Sequence, residues 1–154
     1  MTAKTRVPAV EGWFTFDTDE PALLGTKCTS CGTFSFPRET FSCKNPDCLG
    51  RTFDEVELSR TGTIWSYTNN CFQPPPPYVA TTDPYEPVAI AAVELAGERI
   101  VVLGQVAHGV PFESLAVGQS VELVVETLFE DDDAEHLVWR WKPTDPANAT
   151  GAPA

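Results

Sequence analysis

The chain has 154 residues, a formal net charge of -12 and 42% hydrophobic residues, so it holds one domain or two small ones around a modest core. Residues 1–60 carry seven Lys/Arg against nine Asp/Glu, a net of -2, whereas residues 61–154 carry three against thirteen, a net of -10. No Lys or Arg occurs from residue 61 to 98, which makes that half a poor nucleic-acid surface, because such surfaces need clustered cations to displace counterions.

Residues 1–10 are polar and lack the apolar run of a secretory signal, and no apolar stretch reaches the length of a membrane span. Five cysteines leave one over from any pairing, which fits reduced thiols plus a metal better than a disulfide framework. The expected location is the cytoplasm, with no membrane partner. Residues 1–22 form a lead-in containing Trp13, Phe14 and Phe16, and Asp19 and Glu20 ahead of Ala22 suggest a short helix.

Residues 23–58 contain Cys28-Thr-Ser-Cys31-Gly32 and Cys43-Lys-Asn-Pro-Asp-Cys48. Each pair fits one tight turn, so Cys28, Cys31, Cys43 and Cys48 can converge on one tetrahedral ion. Four thiolates close the coordination shell, which makes the metal structural. The ion is expected to be Zn2+; a rubredoxin-like iron centre is the alternative ligand chemistry. Phe34-Ser-Phe36-Pro37 reads as a ribbon strand entering a turn, and residues 52–58 alternate as a strand. Lys27, Arg38, Lys44, Arg51 and Arg60 cluster in or near this segment. They either contact a phosphorylated ligand or, for Lys27 and Lys44 above all, offset the charge of the thiolate centre.

Residues 59–143 read as five strands: 63–72, 88–95, 99–107, 121–129 and 137–142, with a short helical turn at 112–115. Gly97 is expected at the turn of the second hairpin, and Val121, Leu123, Val125 and Phe129 on one strand face, with Leu137, Trp139 and Trp141 on the inner face of the last strand. The fold class is mainly β, a rubredoxin-like zinc ribbon followed by a five-stranded OB-fold barrel. Pro74-Pro75-Pro76-Pro77-Tyr78 and Pro84-Tyr85 make a stiff loop between strands, where Phe72, Tyr78 and Tyr85 either face a partner or ligand tunnel or cap the barrel end. Glu130, Asp131, Asp132 and Asp133 form a solvated acidic turn, and residues 144–154 a disordered tail.

No catalytic constellation emerges. Cys71 has no base or cation beside it in sequence and reads as a small buried thiol at a strand end. His108 suits a turn, and His136 lies on the polar face of the last strand with no partner carboxylate in view.

The four cysteines, Gly62-Thr-Ile-Trp-Ser-Tyr-Thr68, the Pro74 to Tyr78 run, Pro87-Val-Ala-Ile-Ala-Ala-Val-Glu-Leu95 and Val102-Leu-Gly-Gln-Val106 together resemble one family. It is the zinc-ribbon plus OB-fold family of acyl-CoA-associated accessory proteins, formerly a domain of unknown function. The resemblance covers residues 10–143. It implies a non-catalytic subunit of a thiolase-fold, lipid-transfer-protein-like enzyme, arranged as a heterotetramer, with a CoA thioester as the substrate of the complex. The implied chemistry is a retro-aldol cleavage in steroid side-chain degradation, or thiolysis of the benzoylsuccinyl-CoA type. Phe72, Pro75, Pro76, Tyr78, Tyr85, Lys27, Arg38 and Lys44 are then the candidates for partner or acyl-CoA contact. Two readings compete from other classes: an OB-fold nucleic-acid binder and a rubredoxin-like electron carrier.

Overall fold

The computed structural model describes residues 3–80 and 82–144. Nine strands appear among them, and the one helical element is a 3-10 turn at Phe112–Ser114. The expected tail at 144–154 lies outside the described residues apart from Thr144.

Strands β2 (Leu24–Cys28), β3 (Phe34–Ser35) and β4 (Phe53–Glu57) form a three-stranded antiparallel sheet with β2 in the middle. Asp19 and Glu20 start no helix. Thr15 and Ala22 join through a backbone hydrogen bond of 2.8 Å, and Phe14 bridges Leu23, so the segment runs extended into β2. The buried side chains of Ala22 and Leu23 explain why: their burial in a shared core outweighs the weak local preference of two acids.

The larger sheet contains β5 (Thr61–Asn70), β6 (Val88–Leu95), β7 (Val101–Gln105), β8 (Ser120–Glu130) and β9 (Ala134–Pro143). β6 pairs with β5 and β7, while β8 pairs with β5 and β9, all antiparallel. Closure comes from Val106, which bridges Trp141 in parallel, and from the Ala107 N–H donated to the Trp141 carbonyl at 2.8 Å. That circuit is the five-stranded Greek-key barrel expected of an OB-fold. A sixth strand, β1 (Thr5–Pro8), lies parallel to the first half of β9, from Thr5 opposite Ala134 to Pro8 opposite Leu137.

Gly97 lies in the turn between β6 and β7, as expected. The left-handed position in that hairpin is Arg99, at φ 61°, and two other local expectations fail. A register shift between Thr127 and Phe129 on β8 turns Phe129 away from the face that holds Val121 and Leu123, so its ring stacks on His136 at 4.2 Å outside the barrel. Cys71 is exposed, not buried.

One core serves both modules. Phe14, Leu23 and Leu58 from the ribbon side join Leu95, Leu123, Trp139 and Trp141 in a single buried cluster. Phe36 makes the bridge, edge-on to Trp13 at 5.5 Å and to Trp139 at 6.0 Å. The backbone seals the junction through the Leu58 N–H to the Leu23 carbonyl at 2.9 Å and the Leu123 N–H to the Arg60 carbonyl at 2.7 Å. Arg60 Nε adds a bond to the Pro21 carbonyl at 2.8 Å, so this cation is spent on structure. Packing also needs Gly104: a Cβ there would meet Trp139 Cη2 at 2.5 Å and Trp141 Nε1 at 2.9 Å.

Candidate metal centre and loop surface

Cys28 ends β2, and the turn that follows brings Cys31 back beside it. Gly32 takes φ +78°, and its N–H bonds to the Cys28 carbonyl at 2.9 Å. The second pair closes in the same way: the Cys48 N–H reaches the Asn45 carbonyl at 3.0 Å, and the Cys43 N–H reaches the Gly50 carbonyl at 2.9 Å. Upstream, the Glu39 carboxylate accepts the N–H groups of Phe41 and Thr40 at 2.9 and 3.0 Å, ordering the approach to Cys43. Those bonds, that of Phe41 first, hold Glu39 below the ordinary carboxylate range, with help from the Lys44 charge.

The four Sγ atoms all lie within 4.8 Å of one another. Cys31 and Cys43 sulfurs stand 3.5 Å apart, and those of Cys28 and Cys48 3.9 Å apart. A tetrahedron with metal–sulfur bonds of about 2.3 Å has edges of about 3.8 Å, so the cluster has the size of a closed four-thiolate zinc shell. Backbone N–H groups point at the sulfurs: Asn45 to Cys43 at 3.4 Å and Gly50 to Cys48 at 3.3 Å. The Thr33 hydroxyl and N–H lower the Cys31 thiol to about 6, and the N–H groups of Cys31 and Ser30 lower Cys28. Against the Gly50 N–H, burial and the neighbouring cysteines push Cys48 up to about 12. A like opposition at Cys43, where the Asn45 N–H works against burial and two cysteines, ends on the raised side. Crowded thiols resist losing a third and fourth proton, and a divalent cation removes that resistance. The donor set therefore fits a structural zinc, and no coordination position is left for substrate.

The cations expected nearby are engaged locally. Lys27 lies over the Phe34 ring at 5.4 Å, Arg38 pairs with the Glu55 carboxylate, and Lys44 is exposed and acts on Glu39. They do not converge on a phosphate cradle. In the β5–β6 loop, Tyr78 and Tyr85 meet edge to face at 6.4 Å. The Tyr85 hydroxyl donates to the Asn70 carbonyl at 2.8 Å, and burial raises its ionisation range. These two aromatics are thus fastened to the end of β5. Phe72 (84% exposed), Pro75 and Pro76 remain at the surface.

Two polar arrangements were not anticipated. His136 Nε2 lies 2.7 Å from the Asp131 carboxylate across the acidic turn, so it has the partner that sequence proximity alone did not reveal. Asp131 also accepts the N–H groups of Asp133 and Ala134, at 2.9 and 2.7 Å; the His136 bond first, then these, lowers it to about 2. Arg140, which alternates along β9 with Trp139 and Trp141, is buried as they are and donates to Glu126 at 3.0 Å. His108 sits in a turn as expected, its N–H on the Glu126 carboxylate at 3.2 Å. Among the described residues no helix is long and apolar enough to cross a membrane.

A closed four-cysteine ribbon sharing its core with a Greek-key barrel defines a zinc-ribbon/OB-fold protein. The comparisons agree in both halves. The family model for the rubredoxin-like zinc ribbon domain of ChsH2 matches residues 17–54, and that for the C-terminal OB-fold domain of ChsH2 matches residues 55–126. The chain is 32% identical over 124 residues to a DUF35 domain-containing scaffold protein of Methanocaldococcus jannaschii, covering 78% of this chain and 79% of that one. It is 29% identical over 118 residues to the benzoylsuccinyl-CoA thiolase subunit BbsA of Thauera aromatica, covering 77% and 73%. The solved structure of an Ltp2-ChsH2(DUF35) aldolase shares the fold, with TM-score 0.59 at 24% identity over 80% of this chain and 86% of that one. The chain belongs to the DUF35 family of ChsH2-type zinc-ribbon and OB-fold proteins.

Proposed function

We propose that the chain is a non-catalytic accessory subunit of a thiolase-fold, lipid-transfer-protein-like enzyme acting on acyl-CoA, and that it stabilises that partner and shapes its acyl-CoA channel. The observation that carries this reading is the family match across both modules, at 17–54 and 55–126, to ChsH2. The zinc shell supports it from chemistry: with four thiolates around one ion, the metal orders the ribbon and offers no Lewis-acid site. The preferred reaction of the complex is retro-aldol cleavage of a β-hydroxyacyl-CoA, in which the C–C bond breaks to give a carbonyl compound and a shorter acyl-CoA. A second reading is thiolysis of a β-ketoacyl-CoA by the CoA thiol; the likeness to BbsA over 118 residues favours it. In either case the reacting groups belong to the partner.

Phe72, Pro75 and Pro76 are the contact candidates in the loop, since they present apolar area on a backbone with little freedom left to lose. Lys27 and Lys44 are the candidates on the ribbon. Zinc is the resident metal, the assembly is a heterotetramer, and it acts in the cytoplasm without nucleic-acid or membrane partners.

Co-expression with the thiolase-fold proteins encoded beside it, followed by size-exclusion chromatography with light scattering, tests the reading. A co-eluting complex that cleaves a β-hydroxyacyl-CoA without added CoA is the expected result. CoA-dependent cleavage of a β-ketoacyl-CoA selects the second reading. If no thiolase-fold protein co-elutes, the accessory role is wrong.

A further inference from the structure

The 23 residues of β5, β6 and β7 hold one charged side chain, Glu94. The neighbouring strands β8 and β9 carry Glu122, Glu126, Glu130, Glu135, Arg140 and Lys142. An antiparallel sheet that buries one face normally turns polar groups to the other, yet these three strands turn large apolar ones outward. The register brings them together: Leu103 lies opposite Ala92, and Ala92 opposite Ser66. A register shift between Ile64 and Ser66 inserts Trp65 beside that row. Trp65 can then face outward while Ile64 stays in the core and Tyr67 packs inward on Phe112. Trp65 is 64% exposed and Leu103 66%, with the small, covered Ala92 as a floor between them. Val101, two residues before Leu103 and so on the same face, is exposed as well.

β7 is also the last strand of its sheet, closed onto β9 only beyond its end, at Val106. Exposed edges are normally guarded by charge or proline, and residues 101–105 hold neither. An indole left in water beside such an edge has burial still to gain, and Trp is among the residue types that most often carry binding energy at interfaces.

Charge selects the occupant. Glu94 stands opposite Val101 at one end of the face, Glu98 follows in the turn, and Arg99 beside them is paired with Glu94 at 2.8 Å. A second copy would set the same acids, and another net charge of -12, against this rim. A surface with an apolar centre and a cationic border meets the face without like charges opposed.

We propose that the outer face of β5, β6 and β7, anchored by Trp65 and Leu103 across Ala92, docks a protein surface that is apolar at its centre and bordered by Lys and Arg. Resting on the accessory role proposed above, that surface belongs to the thiolase-fold catalytic subunit.

The test uses the full, zinc-loaded chain and the thiolase-fold protein encoded beside it, with light scattering to score assembly and biolayer interferometry to measure affinity. Trp65→Ala is expected to weaken the complex about thirtyfold and Leu103→Lys about tenfold. Leu49→Lys, which alters an exposed apolar side chain on the ribbon, is expected to leave affinity unchanged. Raising NaCl from about 0.05 to 0.5 M is expected to slow association about tenfold. Should a variant fail to fold, hydroxyl-radical footprinting of the unaltered complex reads the same face, and Trp65 and Leu103 are expected to lose most of their oxidation on binding. If no thiolase-fold protein binds the unaltered chain, the proposed function falls and this docking face with it. A complex that keeps its affinity in both face variants, or leaves Trp65 fully oxidisable, overturns the face alone. So does an equal loss in Leu49→Lys, a salt-independent association rate, or a homodimer of the isolated chain that Leu103→Lys disperses.

Discussion

The tightest point of the zinc centre is a glycine outside the four ligands. A Cβ on Gly50 would stand 2.8 Å from Cys28 Sγ, 3.1 Å from Ser30 Oγ and 3.2 Å from Cys48 Sγ. Ordinary contact between a methyl group and a heavy atom is about 3.5–4.0 Å, so Gly50→Ala must push Cys28 Sγ or the Gly50 backbone by roughly 0.7 Å or more. Zinc–ligand distances tolerate only about ±0.2 Å, and the shift has no free direction: the Gly50 N–H is bonded to Cys48 Sγ, and its carbonyl to Cys43. Losing good geometry at one ligand of a closed shell should lower zinc affinity about 10- to 100-fold, or about 1.4–2.7 kcal/mol. Competition against a chromophoric chelator measures this directly. Gly118→Ala is the control, because Gly118 has φ +88° but open space around the added methyl. It should cost some stability and leave the metal untouched. Unchanged zinc affinity in Gly50→Ala would refute the account of how the shell is closed.

Gly104→Ala places a methyl inside the Trp139 ring edge and 2.9 Å from Trp141 Nε1, and should cost about 2–3 kcal/mol in denaturant unfolding; a cost under about 0.5 kcal/mol would show that the two indoles are free to move. Asp131→Ala removes the carboxylate that His136 and two backbone N–H groups hold at about 2, against an unperturbed 3.8. Because that range is lowered on folding, the stabilisation is complete above pH 3.8 and fades as pH falls toward about 2. Melting temperatures of the two proteins should therefore differ near neutrality and converge in acid; a gap that persists at the acid end contradicts the ion-pair explanation. Glu126→Ala leaves the Arg140 charge buried without its partner and should cost about 2–4 kcal/mol, with part of the loss recovered by adding Arg140→Met. Urea unfolding of the single and double variants supplies the cycle, and no recovery would mean that Glu126 acts mainly through the His108 N–H.

The ribbon was legible because its information is local: two cysteine pairs, a knuckle glycine and a short strand on either side. The barrel strands were legible because 88–95 is a short apolar run closed by a turn with Gly97, and because the alternation around Trp139 and Trp141 reflects one-sided burial. What escaped needed contacts between distant positions. β1 is four residues with no alternation, made a strand by β9 at the far end of the sequence. The bulge on β8 carries no composition signal, so alternation alone puts Phe129 on the face of Val121 and Leu123. Arg140 reads as an outer-face residue until the turn through His108 covers it. The loop aromatics divide in a way the sequence leaves open: Tyr78 and Tyr85 pack together, whereas Phe72 faces outward.

The pairing of Thr5 through Pro8 with Ala134 through Leu137 has a consequence for the order of assembly. The ribbon ligands span only Cys28 to Cys48, so their turns can form and take up metal while most of the chain is still being made. β1 must wait for the last barrel strand, and Val106 cannot meet Trp141 before then either. Closing contacts this far apart is slow. During synthesis the chain should therefore present a metal-ordered head with an open, strand-rich body behind it, whose edges are exposed until β9 arrives. In a cell that interval is when a partner or a chaperone would have most to protect.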